Sequence, residues 1–181
     1  GLDLNNPTPA LLADLNRQLA MSGCPPWGGG TAIDPATLAQ RAAASFLLPR
    51  PSGHRSPPEV INFHRYSISY VNLWLYYWTD SSTWKPLTAT ARAVGVFATV
   101  TAKPVSLTLD PGDGSAPVVC AGPGRPWVTG DGNDAPSAGA CGYQYAKVTG
   151  PGYDHPVTST QTITWQLTWT GSGNTSGTLT S

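Results

Sequence analysis

The sequence predicts a mainly β protein, an antiparallel β-sandwich with a short helical N-terminal extension. Three observations carry that expectation. TITWQLTWT sets Ile163, Trp165, Leu167 and Trp169 in strict alternation with Thr and Gln, the pattern of a strand with one buried and one wet face. LTATARAVGVFATVTAKP alternates Thr with Ala and Val on either side of Val94-Gly95, as two strands joined by a turn do. Short runs of this kind between Gly- and Pro-rich turns favour stacked sheets over an α/β arrangement. The 181 residues suffice for one sandwich-sized domain with an extension.

In chain order, TPALLADLNRQLAMSG reads as a first helix. Thr8 is its candidate N-cap, Pro9 its first residue, Leu11, Leu12, Leu15 and Leu19 its apolar face and Gly23 its stop. DPATLAQRAAASFLL repeats that grammar with Asp34 and Pro35, and ends before Pro49. Each helix is too short to be stable alone, so each must pack on something. PRPSGHRSPP reads as a linker, dividing residues 1–58 from a sandwich over 59–181. NFHRYSISYVNLWLYYWTD then places Tyr66, Ile68, Tyr70, Trp74, Tyr76 and Trp78 on one side of an extended chain, with Val71, Leu73, Leu75 and Tyr77 on the other. A strand apolar on both sides is covered on both sides; Tyr70, Trp74 and Trp78 also fit the four-residue spacing of a helix, and the β-propensity of aromatic residues favours the strand. VSLTL, with Val105, Leu107 and Leu109 facing one way, and CGYQYAKV add two short strands, and GSGNTSGTLTS reads as a flexible tail.

Composition narrows the function. Charged residues make up 11%, against roughly 25% in a typical soluble domain, and ten basic residues balance ten acidic ones. With no basic stripe to neutralise a phosphate backbone, nucleic acid is not an expected partner. No apolar run reaches the roughly 20 residues that cross a bilayer as a helix. Low charge with abundant Thr, Ser, Gly and Pro suits a secreted or cell-surface β protein. Of the three cysteines, Cys120 and Cys141 bracket a Gly/Pro/Asp-rich loop and are expected to form a disulfide suited to an export compartment. Cys24 is left over, either as a capped thiol or as an intermolecular contact.

VSLTLDPGDG followed by CGYQYAKVTGPGYDHPVTSTQTITWQLTW resembles the PKD-like domain, an immunoglobulin-like β-sandwich. The matching residues are Asp110, Gly112, Asp113 and Gly114 in the turn, Tyr143 and Tyr145 in the later strand, and Pro151-Gly152 before the last strand. Leu109 stands where such domains usually carry Trp. The stretch from about Trp74 to Trp169 is also similar to a group of exported actinobacterial proteins. The resemblance implies an extracellular module that contacts proteins or polysaccharide.

The aspartates of the turn invite three readings. A phosphate loop needs a longer glycine run ending in Lys-Ser/Thr at a helix start, and here a strand follows. A calcium site needs six to eight oxygens, so Asp110 and Asp113 would have to join Asp131 and Asp134 of GDGNDAPSAG. Turn formation needs nothing more: Asp bonds the local backbone and Gly supplies positive φ. No metal or other cofactor is expected. His54, His64 and His155 make no zinc spacing, the neighbours Asp154 and His155 lack a nucleophile elbow, and Glu59 is the single glutamate. Seven Trp and seven Tyr are the stronger feature. They fill a core and a layer under the helices, or they form an exposed platform, for which Trp27 and Trp127 in Gly/Pro loops are the candidates. The expected function is therefore non-catalytic: an extracellular structural or adhesive subunit of a cell-surface assembly, binding protein partners or itself. A carbohydrate-binding module for cell-wall polysaccharide, using the loop tryptophans, is the alternative. An exported hydrolase working through Asp154 or His155 is a third.

Overall fold

The computed structural model describes residues 9–24, 33–56, 62–63, 66–67, 70–93, 95–147 and 157–180. Thr8, Trp27, Glu59, His64, Val94, Pro151, Gly152, Asp154 and His155 lie outside the described residues.

Two helices open the chain, α1 (Pro9–Met21) and α2 (Pro35–Ala44). Both begin on proline, whose fixed φ suits a first helical residue and whose missing N–H is not needed there. The backbone N–H of Cys24 closes α1 on the Leu19 carbonyl at 2.9 Å. The strands follow as β1 (Gly53–Ser56), β2 (Asn62–Phe63), β3 (Tyr66–Ser67), β4 (Trp74–Thr79), β5 (Leu87–Ala93), β6 (Val96–Asp110), β7 (Val118–Cys120), β8 (Cys141–Gln144), β9 (Thr160–Gly171) and β10 (Thr175–Leu179). They make an antiparallel three-stranded sheet in the order β1-β4-β8 and an antiparallel five-stranded sheet in the order β10-β9-β6-β5, with β7 also on β6. The short pair β2-β3 stands apart from both. The protein is mainly β, and its two antiparallel sheets are consistent with a β-sandwich.

The spine is β6, fifteen residues long, where the sequence reads as two strands. It runs through Lys103-Pro104 because a bulge between Pro104 and Ser106 absorbs the proline. Proline has no N–H to give to a ladder and is found in strands mainly at edges and bulges; here Pro104 still pairs with Trp165 and the extra, unpaired residue is its neighbour Val105. The bulge also shifts the side-chain phase. Ala98, Val100 and Ala102 are buried before it and Leu107 and Leu109 after it, so even and odd positions share one face. Val105, expected to point inward with the leucines, is instead exposed. On β9 the register pairs Trp169, Leu167, Trp165 and Ile163 with that same face.

That face is covered in two parts. At one end α2 lays Leu38, Ala39 and Ala42 on Ala98, Val100 and Trp169. At the other, Leu75 and Tyr77 of β4 meet Leu107, Leu109, Ile163 and the two half-cystines. Burying Leu38 alone is worth about 2 kcal/mol, so α2 belongs to the core and is not a detachable arm. Strand β1 likewise forms inside the Pro-rich segment and pairs Gly53–Ser56 with Thr79–Tyr76 of β4. Both α2 and β1, which precede residue 58, are thus built onto the strands of the two sheets.

Two further expectations are revised. The aromatic run does not extend unbroken to Trp78: Asn72 adopts φ 59° in a turn, Tyr70 and Val71 are exposed, and the strand starts at Trp74. From there both sides are covered as expected, with Leu75, Tyr76 and Tyr77 all buried. The tail is not flexible through residues 175–179, since β10 pairs with β9 as an edge strand.

Candidate functional site

Three surfaces collect the residues singled out by the sequence. The first is the loop closed by the disulfide between Cys120 and Cys141, whose Cα atoms lie 5.5 Å apart. The bond joins the end of β7 to the start of β8, and so ties the five-stranded sheet to the three-stranded one. Within the loop Arg125 grips Asp131 with two hydrogen bonds, Nη1 to Oδ2 at 2.8 Å and Nη2 to Oδ1 at 2.7 Å. The Val128 N–H adds a third at 2.8 Å, and Arg125 Nη2 also reaches Ser137 Oγ at 3.1 Å. The guanidinium sits 5.6 Å from the centre of the Tyr76 ring, which places the loop over the outer side of β4. Trp127 donates its indole N–H to the Gly132 carbonyl at 2.8 Å and leaves 39% of its surface exposed. Asp134 is exposed and bonds only loosely back to the Asp131 carbonyl through its backbone, at 3.4 Å.

The Arg125 hydrogen bond, then that of the Val128 N–H, holds the Asp131 carboxyl at about 2. A depressed carboxyl stabilises the folded chain above its ordinary pKa and loses that contribution as pH falls through the folded value. Acid is therefore expected to release this loop between roughly pH 4 and pH 2. Trp127 emission, followed from pH 5 downward, should report the step, and Arg125→Met should flatten it. An unchanged profile in that variant would assign the transition to another group.

The second surface is the aspartate-glycine turn. Asp110 Oδ1 accepts from the Gly112 N–H at 2.9 Å and Asp113 Oδ1 from the Ser115 N–H at 3.0 Å, two side-chain-closed turns in succession. Gly112 has φ +75°, and a Cβ there would run into the Thr158 carbonyl, so the position requires glycine twice over. Gly114 shares the positive φ. Tyr143 donates its hydroxyl to Asp113 Oδ2 at 2.7 Å, and this bond leads the causes that hold the Asp113 carboxyl below its ordinary range. Tyr145 donates to the Pro111 carbonyl at 2.8 Å and meets Tyr143 edge to face at 4.8 Å. The turn is thus anchored by the Tyr-x-Tyr strand. Asp110 and Asp113 are engaged with their own turn and Asp131 with Arg125. Among the described residues no three His, Cys, Asp or Glu side chains gather as a cation site would need.

The third surface became visible only with the strand register. The outward side of β5, β6, β9 and β10 carries Thr90, Thr99, Thr170 and Ser176 in one cross-strand row, and Thr88, Thr101, Thr168 and Thr178 in the next. Ser106 and Thr108 face Thr164 and Thr162 further along. Strand geometry spaces such rows by about 4.8 Å across the sheet and about 6.8 Å along it. Thr90 and Thr99 share a hydroxyl hydrogen bond at 2.9 Å. Lys103 and Gln166 separate the two blocks, and Arg92 lies over Phe97 at the margin. Neither of the two full rows contains a charge.

One cluster escaped the sequence altogether. The β1–β4 register brings His54 and Ser52 to Asp80, with His54 Nε2 3.1 Å from Oδ1 and Ser52 Oγ donating to Oδ2 at 2.8 Å. The imidazole also stacks on Trp78, ring centres 5.4 Å apart. The serine hydroxyl is given to the carboxylate, whereas a nucleophilic relay gives it to the imidazole. The geometry is that of a brace between β1 and the loop after β4. Cys24 is an exposed free thiol just beyond α1. Among the described residues, no helix is long and apolar enough to cross a membrane.

Comparison with protein-family models, with curated proteins and with solved structures finds no match to this chain.

Proposed function

We propose that this chain is a non-catalytic, extracellular structural or adhesive module built on a PKD-like sandwich, and that it works as a subunit of a cell-surface assembly. The observation that carries this reading is the open hydroxyl face of the five-stranded sheet. Its reverse side is packed under α2 and the smaller sheet, so the face is held rigid. Bringing a neutral partner onto it strips no charge of water in the two full rows, and each hydroxyl can both give and accept a hydrogen bond. A net charge of zero lowers the repulsion between copies. The disulfide suits a secreted or surface location, and the exposed Cys24 could reinforce a contact covalently.

The test is particle size by light scattering over a concentration series, with and without reductant. The unmodified chain is expected to grow with concentration. Thr168→Lys combined with Thr170→Lys, both at exposed positions, should hold it monomeric at an unchanged melting temperature. A chain that stays monomeric at every concentration and does not sediment with purified cell-wall material would overturn the reading. A second reading, carbohydrate binding through loop tryptophans, draws support from Trp127, whose N–H is satisfied internally while part of its ring stays exposed. It requires that Trp127→Ala abolish glycan binding.

A further inference from the structure

Two loops meet at the start of β4, and both expose apolar side chains. Tyr70 and Val71, just before the turn at Asn72, are 62% and 41% exposed, and Trp127 and Val128 of the disulfide loop are 39% and 53% exposed. Asn133 joins the two loops. Its Oδ1 accepts from the Trp74 N–H at 3.2 Å and its Nδ2 donates to the Asn72 carbonyl at 3.4 Å, while the adjoining Gly132 carbonyl holds the Trp127 indole. Single exposed apolar residues are ordinary, but four gathered around one bridge mark a contact surface. We propose that this corner seats in the interfacial layer of a neutral, zwitterionic lipid bilayer, as a peripheral contact and not a span.

Three observations select lipid. The first is that the polar groups behind the four side chains are paired within the protein. The Trp127 indole N–H bonds the Gly132 carbonyl, the Val128 N–H bonds Asp131 Oδ2 at 2.8 Å, the Asn72 N–H bonds the Tyr145 carbonyl at 2.9 Å, and Asn133 uses both ends of its amide. Entering a medium poor in hydrogen-bond partners therefore strands none of these groups. A sugar or a polar protein surface is recognised through open donors and acceptors, and here those donors and acceptors are engaged.

The second observation is residue type. Trp and Tyr join an apolar ring to a polar tip and settle at headgroup level, while valine gains from the acyl side and offers a sugar no flat face. The third is charge. Arg125 and Asp131 neutralise each other through two hydrogen bonds, and at the margin the exposed Asp134 is offset by the exposed Lys147. A corner without net charge gains nothing from anionic lipid, whose pull depends on clustered Lys and Arg. This surface lies apart from the hydroxyl face, and the inference does not depend on the assembly reading.

The experiment is co-sedimentation of the unmodified chain with sucrose-loaded phosphatidylcholine vesicles, and with vesicles of phosphatidylcholine mixed with phosphatidylglycerol. Half of the chain is expected to sediment at about 1 mM lipid, with no tighter binding to the mixed vesicles. Tyr70→Ser combined with Val71→Ser, both at exposed positions, should weaken binding about tenfold with an unchanged melting temperature. Val128→Ser should weaken it from the other loop. These vesicles carry no glycan, so the result stands apart from a sugar-binding role of Trp127. Four results would each overturn the proposal: no sedimentation at lipid concentrations of about 10 mM, binding that survives the variants of both loops intact, binding to the anionic vesicles alone, or growth of the chain with concentration that Tyr70→Ser/Val71→Ser abolishes. The last would give the corner to a second copy of the chain.

Discussion

Opening the disulfide between Cys120 and Cys141 is expected to lower the unfolding free energy by about 3 kcal/mol. The bond closes a loop with a sequence separation of 21, and restoring that loop's freedom to the unfolded chain accounts for the loss. Position adds to length here. Cys120 ends a strand of the large sheet and Cys141 begins a strand of the small one, and both are buried with Leu75, Tyr77, Leu107 and Leu109. Without the bond the two layers are held by that packing alone. Urea unfolding of the oxidised chain against the Cys120→Ala/Cys141→Ala variant should show a lower midpoint at a similar slope. A difference below about 1 kcal/mol would mean that the loop is already constrained in the unfolded chain.

The next largest effect is expected at Gly124. This residue bridges Trp78 of β4 antiparallel from within the disulfide loop. Its φ is +74°, and a Cβ would run into the Tyr77 carbonyl oxygen and lie 3.0 Å from the Trp78 Cα. Both obstacles are backbone of a central strand, which cannot turn aside as a side chain can. Gly124→Ala is expected to cost at least about 2 kcal/mol and to lift the Arg125–Asp131 segment from Tyr76, with a change in Trp127 emission. Gly122→Ala is the matched control, since nothing lies within 4 Å of the position its Cβ would take. It should shift stability by no more than about 0.5 kcal/mol. Equal effects at the two sites would show that the loop does not rest on β4 in solution.

Much of the fold was legible where one local rule governs a segment. Period-two alternation marked β9 and the hairpin of β5 and β6, since one side of each is buried and the other wet. Proline starts marked both helices, and the spacing of Asp and Gly marked the turn at 110–114. Segments whose conformation is imposed by a neighbour were not legible. Residues 175–179 carry little apolar pattern and become a strand only because β9 offers an edge. Gly53–Ser56, amid prolines, becomes one against β4. Pro104 reads as a strand terminator until the bulge is seen.

The candidate sites divide the same way. Trp127 was readable from its loop, but the Arg125–Asp131 clamp joins residues six apart that no regular element makes neighbours. Asp113 was readable as a turn former, but its bond to Tyr143 spans thirty residues. The threonines were visible strand by strand. Their meeting in cross-strand rows follows from register, which the sequence leaves open where the outer face is uniformly polar.

The most direct test of the proposed contact surface is the solvent accessibility of threonine methyl groups. The chain would be labelled with ¹³C at those methyls and probed with a soluble paramagnetic agent, first dilute and then concentrated. Loss of relaxation enhancement at Thr88, Thr101, Thr168 and Thr170 on concentration, with the exposed Thr129 methyl of the disulfide loop unchanged, is the expected result. Equal enhancement of those methyls at both concentrations would show that the hydroxyl face is not where copies of this chain meet.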